Sequence, residues 1–328
     1  MGGGRHSRLA VSACVIAALA IPNGGLVFAK SVTEELGTDD AAILGKVKSS
    51  NVWGGDGSIE GTGGVAYMPA LGAPPKRVAL VSFYVWDCGN SKTRVYHTYS
   101  ATYRSTREYT VVGVEGIAEV LYVLGIGPLN ETFARHVMLL LTPGEFLDTD
   151  AKRSAYQAFE IEQSAMAKFA GHFQKDAPKG IRIDGAPAEY RLLKVITNNN
   201  AERNDFMLAA KGGDGKLFEG LGHHLAGQLG VDAVALFYNV VQGEKERVEL
   251  LSSYLYLFGP NPVKDASPSR SWSGHQYAGH YLKIDATIMK TTKEGNAAEV
   301  DIAGFDRVTR ALGERTGQYI EEEIHPAK

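Results

Sequence analysis

Arg77 to Trp86 reads RVALVSFYVW, a nearly unbroken run of β-branched, aromatic and aliphatic side chains. A strand with one wet face alternates polar and apolar residues; this one does not, so it predicts a strand covered on both sides. Asp87, Cys88, Gly89 and Asn90 end it. A sheet strand of this kind requires helices above and below, and the rest of the chain supplies them. Lys216 to Leu229 carries Leu217, Phe218, Leu221, Leu225 and Leu229 on one side, and Gly230 stops the helix. Val231 to Val241, VDAVALFYNVV, follows as a second strand. Glu244 to Phe258 and Tyr281 to Thr291 predict two more, and Phe305 to Ile324 a closing helix. Strands in succession imply hairpin pairing, whereas strand–helix–strand alternation implies parallel pairing. The expected fold class is α/β: a mixed, twisted sheet covered by helices.

Shorter elements fill the interval. Val114 to Val123 and Leu129 to His136 read as two helices, and Val137 to Leu141 as a short buried strand. Asp150 is placed to cap a long helix from Ala151 to Gln174, striped by Ala155, Phe159, Met166, Phe169 and Phe173. Ile181 to Asp184 and Tyr190 to Ile196 are strand candidates. Asn198 to Asn200 begin a polar loop, and Asp205 to Ala210 is a candidate helical turn. Glu34 to Lys48 is mildly helical, but residues 30–75 as a whole form a lead-in rich in glycine and proline, with GGDGS, GTGG and LGAPP. Residues 76–328 then form a single α/β domain.

The first 29 residues read as an address. Arg5 and Arg8 precede an apolar run from Leu9 to Pro22, and Val27 and Ala29 suit a signal-peptidase cut before Lys30. The run is shorter than the roughly 20 residues of a membrane span. Val11 to Cys14 imitates a lipoprotein box, but most of the apolar run lies after Cys14. Removing the segment leaves 32 basic and 37 acidic residues, a net charge of −5, and one cysteine, Cys88. The mature chain is therefore expected to have no internal disulfide, no transmembrane span and no affinity for nucleic acid.

Catalytic signatures are missing. No Gly-x-Ser-x-Gly elbow, Ser-x-x-Lys, His-Glu-x-x-His or Cys-x-x-Cys-His occurs. Lys211 to Lys216 imitates a phosphate loop but fails in its glycine spacing and in the residue after Lys216. Gly54 to Ser58 lacks the alternating oxygen ligands of a calcium loop. His223 and His224 sit side by side on a helix, about 100° apart, and cannot easily share a metal. His275 and His280, in the apparent loop SWSGHQYAGHY, are too loosely spaced to define a site. Neither a metal nor a cofactor is expected. Cys88, at the carboxyl end of the first strand, stands where open α/β sheets place ligands. It carries the alternative reading, a hydrolase or transferase with a thiol nucleophile.

Thr93 to Val112 supplies the candidate binding element. One alternating face presents Val95, His97, Tyr99, Ala101, Tyr103 and Tyr109, the other Arg94, Thr98, Thr102, Arg104 and Glu108. The period of two predicts an amphipathic β-ribbon. Arg94, Tyr96, Tyr99, Tyr103 and Arg104 are its candidate contact residues, because Arg and Tyr are enriched where proteins meet.

Leu229-Gly230-Val231-Asp232-Ala233-Val234 is similar to the LGADAV stretch of curli-secretion-type lipoproteins and of the amino-terminal α/β domain of the Tol-associated translocation protein. Lys76 to Phe83, KRVALVSF, resembles the opening strand of the same envelope modules. The resemblance covers about half of the mature chain. It implies a periplasmic or outer-membrane-peripheral protein that works in assembly, with an envelope protein as partner and no catalytic residue to carry over. The lipid-anchor cysteine of the secretion family has no convincing match here. Homo-oligomerisation stays open.

Overall fold

The computed structural model describes residues 30–51, 55–56, 74–87, 91–97, 102–108, 113–161, 183–193, 216–244, 246–261, 273–292 and 297–324. The expected signal segment, Cys88, Tyr99, Tyr109, Gln174, Asn198, Asp205 and Lys211 lie outside them. In chain order the elements are α1 (Val32–Leu36), α2 (Asp40–Lys46), β1 (Lys48–Asn51), β2 (Gly55–Asp56), β3 (Arg77–Asp87), β4 (Ser91–His97), β5 (Thr102–Glu108) and α3 (Val114–Arg135). Then come β6 (Leu139–Leu141), α4 (Pro143–Phe146), α5 (Asp150–Ala158), β7 (Ile183–Gly185) and α6 (Lys216–Phe218). A π-helical stretch (Glu219–Leu225) leads into α7 (Ala226–Leu229), β8 (Ala233–Glu244), β9 (Arg247–Pro260), β10 (Gly274–Thr291), β11 (Ala297–Val300) and α8 (Ile302–Tyr319). A π-helical tail, Ile320–Ile324, closes the described chain.

The fold is α/β, built on a mixed sheet. Along it the strands run β2-β1-β10-β9-β8-β3-β6, with β11 on β10 and β7 on β3. β3 pairs in parallel with β6 and β8, while β8, β9 and β10 form an antiparallel succession. One face carries Leu80, Phe83, Phe237 and Leu255 against α1, α2, α3 and α8. The other carries Tyr84, Leu236, Tyr238 and Tyr256 against α4, α5 and the helix over Lys216–Leu229. β3 is buried along nearly its whole length, as a strand between two helical layers must be.

The two stretches that carry the family resemblance lie side by side. Gly230 ends α7 in the left-handed conformation at φ 64°, where glycine meets no Cβ penalty. Two residues on, the Asp232 carboxylate accepts the backbone N–H groups of Lys76 and Arg77, both at 2.9 Å. That single oxygen sets the start of β3 against the start of β8.

Several elements differ from expectation. α3 is one continuous helix running through Pro128, not two. α5 begins from Thr149, whose hydroxyl accepts from Lys152 N–H, and it ends at Ala158 rather than Gln174. Tyr190 to Leu193 is an ordered coil, not a strand: Ser82 Oγ donates to Arg191 O and accepts from Leu193 N–H, which leaves no ladder. His275 and His280 lie within β10, not in a loop. The mild helix at Glu34 to Lys48 resolves into α1 and α2. Asp39 caps α2 through the N–H groups of Ala41 and Ala42.

Candidate functional site

The ribbon is present as β4 and β5, an antiparallel pair forming its own two-stranded sheet. Its register opposes Arg94 to Ser105, Val95 to Arg104 and Tyr96 to Tyr103. Directly opposed residues share a face, so Tyr103 stands on the face of Tyr96 and Arg94, and Arg104 on that of Val95. The single alternation expected from Val95 to Tyr109 does not carry across from β4 to β5, and Arg94 and Arg104 lie on opposite faces. Tyr99 lies outside the described residues. The hairpin departs from the carboxyl end of β3 and returns to the start of α3. That is the end of the sheet where open α/β proteins commonly present ligands.

A second feature was not foreseen. α2, the end of α3 and α8 enclose a groove of about 860 Å³. Its floor includes Ile43, Leu44, Ala134 and Ala311; its rim bears Asp40, Glu131, Arg135, Arg307, Arg310 and Glu314. Arg310 donates to Asp306 at 2.8 Å and to Glu131 at 2.6 Å, and these bonds hold its guanidinium above the ordinary arginine value. Arg307 donates to the Gly37 carbonyl at 2.7 Å. Arg135 meets Glu314 at 3.3 Å. The rim thus alternates in sign and suits a polar ligand better than a uniformly charged one.

Beside the groove, His136 is packed flat on α8. Gly317 makes room for it: a Cβ there would lie 2.0 Å from His136 Cδ2. The ring's Nε2 stands 3.3 Å from Glu314 and its Nδ1 3.0 Å from Glu321. The next residue, Val137, has φ 58° and is 78% exposed, an uncommon conformation for a β-branched side chain. In the sequence, Arg307, Arg310, Glu314 and Gln318 do recur at helical spacing, a legible polar stripe. Nothing local shows that it faces Glu131 and Arg135 across another helix.

The histidines singled out by sequence do not converge. His223 and His224 are both exposed. His275 is half-buried and stacks on Phe218, and burial lowers its basicity. His280 is buried under α8, its Nδ1 3.0 Å from Thr316 Oγ1. Burial, then the charge of Arg315, hold it down at about 3. Among the described residues no three His, Cys, Asp or Glu side chains are grouped to hold a metal ion, and no helix is long and apolar enough to cross a membrane.

Across the other sheet face, tyrosines stack from strand to strand. Tyr84 lies 5.0 Å from Tyr238, Tyr238 4.4 Å from Tyr254, and Tyr254 5.5 Å from Tyr281. These rings are buried and make a packing layer rather than a surface. No protein-family model, curated protein or solved structure matches the chain.

Proposed function

We propose that this is an exported protein of the bacterial cell envelope that acts by binding or assembly, docking an envelope protein through the hairpin β4–β5. The observation that carries the reading is the hairpin's separation from the main sheet as a two-stranded unit of its own, inserted between β3 and α3. A strand pair needed only for the core would join the sheet. Arg94, Tyr96, Tyr99, Tyr103 and Arg104 supply the residue types that anchor protein interfaces. The amino-terminal address supports export, and the acidic balance of the mature chain argues against a nucleic-acid partner.

The test places a photo-crosslinking residue at Thr98 in the full-length exported chain. An adduct with one envelope protein is expected, and its formation should fall roughly ten-fold when Tyr99 and Tyr103 are both replaced by Ala. Far-UV circular dichroism and melting temperature should stay nearly unchanged. A melting temperature that drops by many degrees with the adduct intact would make the tyrosines structural and overturn the reading.

A further inference from the structure

We infer that the groove between α2, α3 and α8 binds a small zwitterion, a carboxylate and an ammonium group set close together on an aliphatic body, the chemistry of an apolar α-amino acid. Its volume of about 860 Å³ lies in the range of small-molecule sites. Most of the rim charges are already answered from within. Arg310 is held by Asp306 and Glu131. Arg135 meets Glu314, which also accepts from Gln318 Nε2 at 3.2 Å and stands 3.3 Å from the His136 ring. Two rim groups are left over. Among the described residues, neither Arg307 nor Asp40 stands in an ion pair, and both line the groove.

Arg307 is half-buried on α8, and its fork is set before any ligand arrives. Gly37 closes α1 at φ 80°, where glycine pays no Cβ penalty. It donates its N–H to Thr33 O at 2.9 Å, and its carbonyl accepts from Arg307 Nη1 at 2.7 Å. That carbonyl is neutral and takes one of five guanidinium N–H groups. The charge and the other donors stay uncommitted, and their planar fork matches a carboxylate. Asp40 comes three residues after Gly37, so their Cα atoms are at most about 11 Å apart. It is exposed on the first turn of α2, whose cap is Asp39, so the Asp40 carboxylate is not spent on the helix end. The two unanswered charges, opposite in sign, thus share the end of the groove beside the α1–α2 link. On α8 the floor residue Ala311 comes between Arg307 and Glu314, so apolar surface runs away from that pair. A ligand with a carboxylate alone would face Asp40, and one with an ammonium alone would face Arg307. A zwitterion answers both, and its aliphatic body covers Ile43, Leu44, Ala134 and Ala311.

Three probes of one aliphatic chain, L-norleucine, hexanoate and pentylamine, differ only in which charges they carry. Each is titrated into the full chain and followed by the ¹H–¹⁵N shifts of α2 and α8. Norleucine should bind with a dissociation constant about ten-fold below that of either singly charged probe. Asp40→Asn should weaken norleucine to about the level of hexanoate, and Arg307→Gln to about that of pentylamine. Ala134→Trp, at an exposed position on α3, should block norleucine with both charges in place, and it keeps the test open if Arg307→Gln fails to fold. Hexanoate binding as tightly as norleucine would overturn the site. So would norleucine binding unchanged in Asp40→Asn or Ala134→Trp, or shifts in α2 and α8 that never saturate in the millimolar range.

Discussion

His280 illustrates how one buried side chain makes a whole fold sensitive to acid. Its ring is held at about 3, first by burial and second by Arg315, against an ordinary value near 6.5. Unfolded chains take up a proton below about pH 6.5 that the folded chain refuses until about 3. The contribution is therefore complete above about pH 6.5 and is lost as the pH falls, by roughly 1.4 kcal/mol per unit. Urea denaturation at about pH 7 and about pH 5 should show a lower midpoint in acid for the wild type. In His280→Gln the acid-induced decrease should shrink measurably. An equal decrease in both proteins would show that His280 is not its source. Asp301 is the opposite case. Burial works against its ionisation, but hydrogen bonds from Thr33 Oγ1, Thr33 N–H and Gly304 N–H outweigh it and hold the carboxyl below its ordinary value.

At the level of elements, the contact between α3 and α8 is set by what is missing from side chains. A Cβ on Gly313 would lie 2.1 Å from Thr132 Oγ1 and 2.9 Å from its Cβ, so neither helix can keep its place if one is added. Gly227, on α7, has nothing within 4 Å of such an atom. Gly313→Ala is accordingly expected to destabilise the protein by about 1–3 kcal/mol. Gly227→Ala should be neutral or stabilising by up to about 1 kcal/mol, because it removes only the backbone freedom of the unfolded chain. Thermal melting separates the two, and equal effects would discredit this account of the helix contact. The same interface explains why α3 was not legible as one helix. Pro128 removes an N–H and normally breaks the pattern, yet Gly125 packs on Phe305 and Thr132 on Gly313 to either side of it. Packing across the break outweighs local propensity. β10 was misread near His275 for a related reason: SWSGHQYAGHY is polar and glycine-rich, but pairing with β9 from Gly274 onward holds it extended. β3 and the α7-to-β8 turn were legible because burial on both faces and a left-handed glycine leave marks in local sequence. The groove was not, since its two walls come from helices far apart in the chain.

For the whole molecule, the first question is where the mature chain begins. If the chain is exported as proposed, intact-mass measurement of the protein recovered from an envelope fraction should give a chain starting at Lys30; retention of residues 1–29, or a lipid on Cys14, would refute the predicted cut. A chain starting there keeps a complete strap on the body. Lys30 O accepts Thr287 N–H at 2.9 Å, Val32 is fully buried, and Thr33 donates through N–H and Oγ1 to Asp301 at 2.7 and 2.6 Å. Thr33 and Asp301 are separated by 268 positions in sequence. A polypeptide delivered amino terminus first must therefore keep Thr33 waiting until nearly all of the chain has arrived. Closing so long a loop before any contact rewards it is entropically slow. In a chain delivered amino terminus first, Val32, which packs beside Gly304, is therefore expected to be covered only after that late segment has arrived.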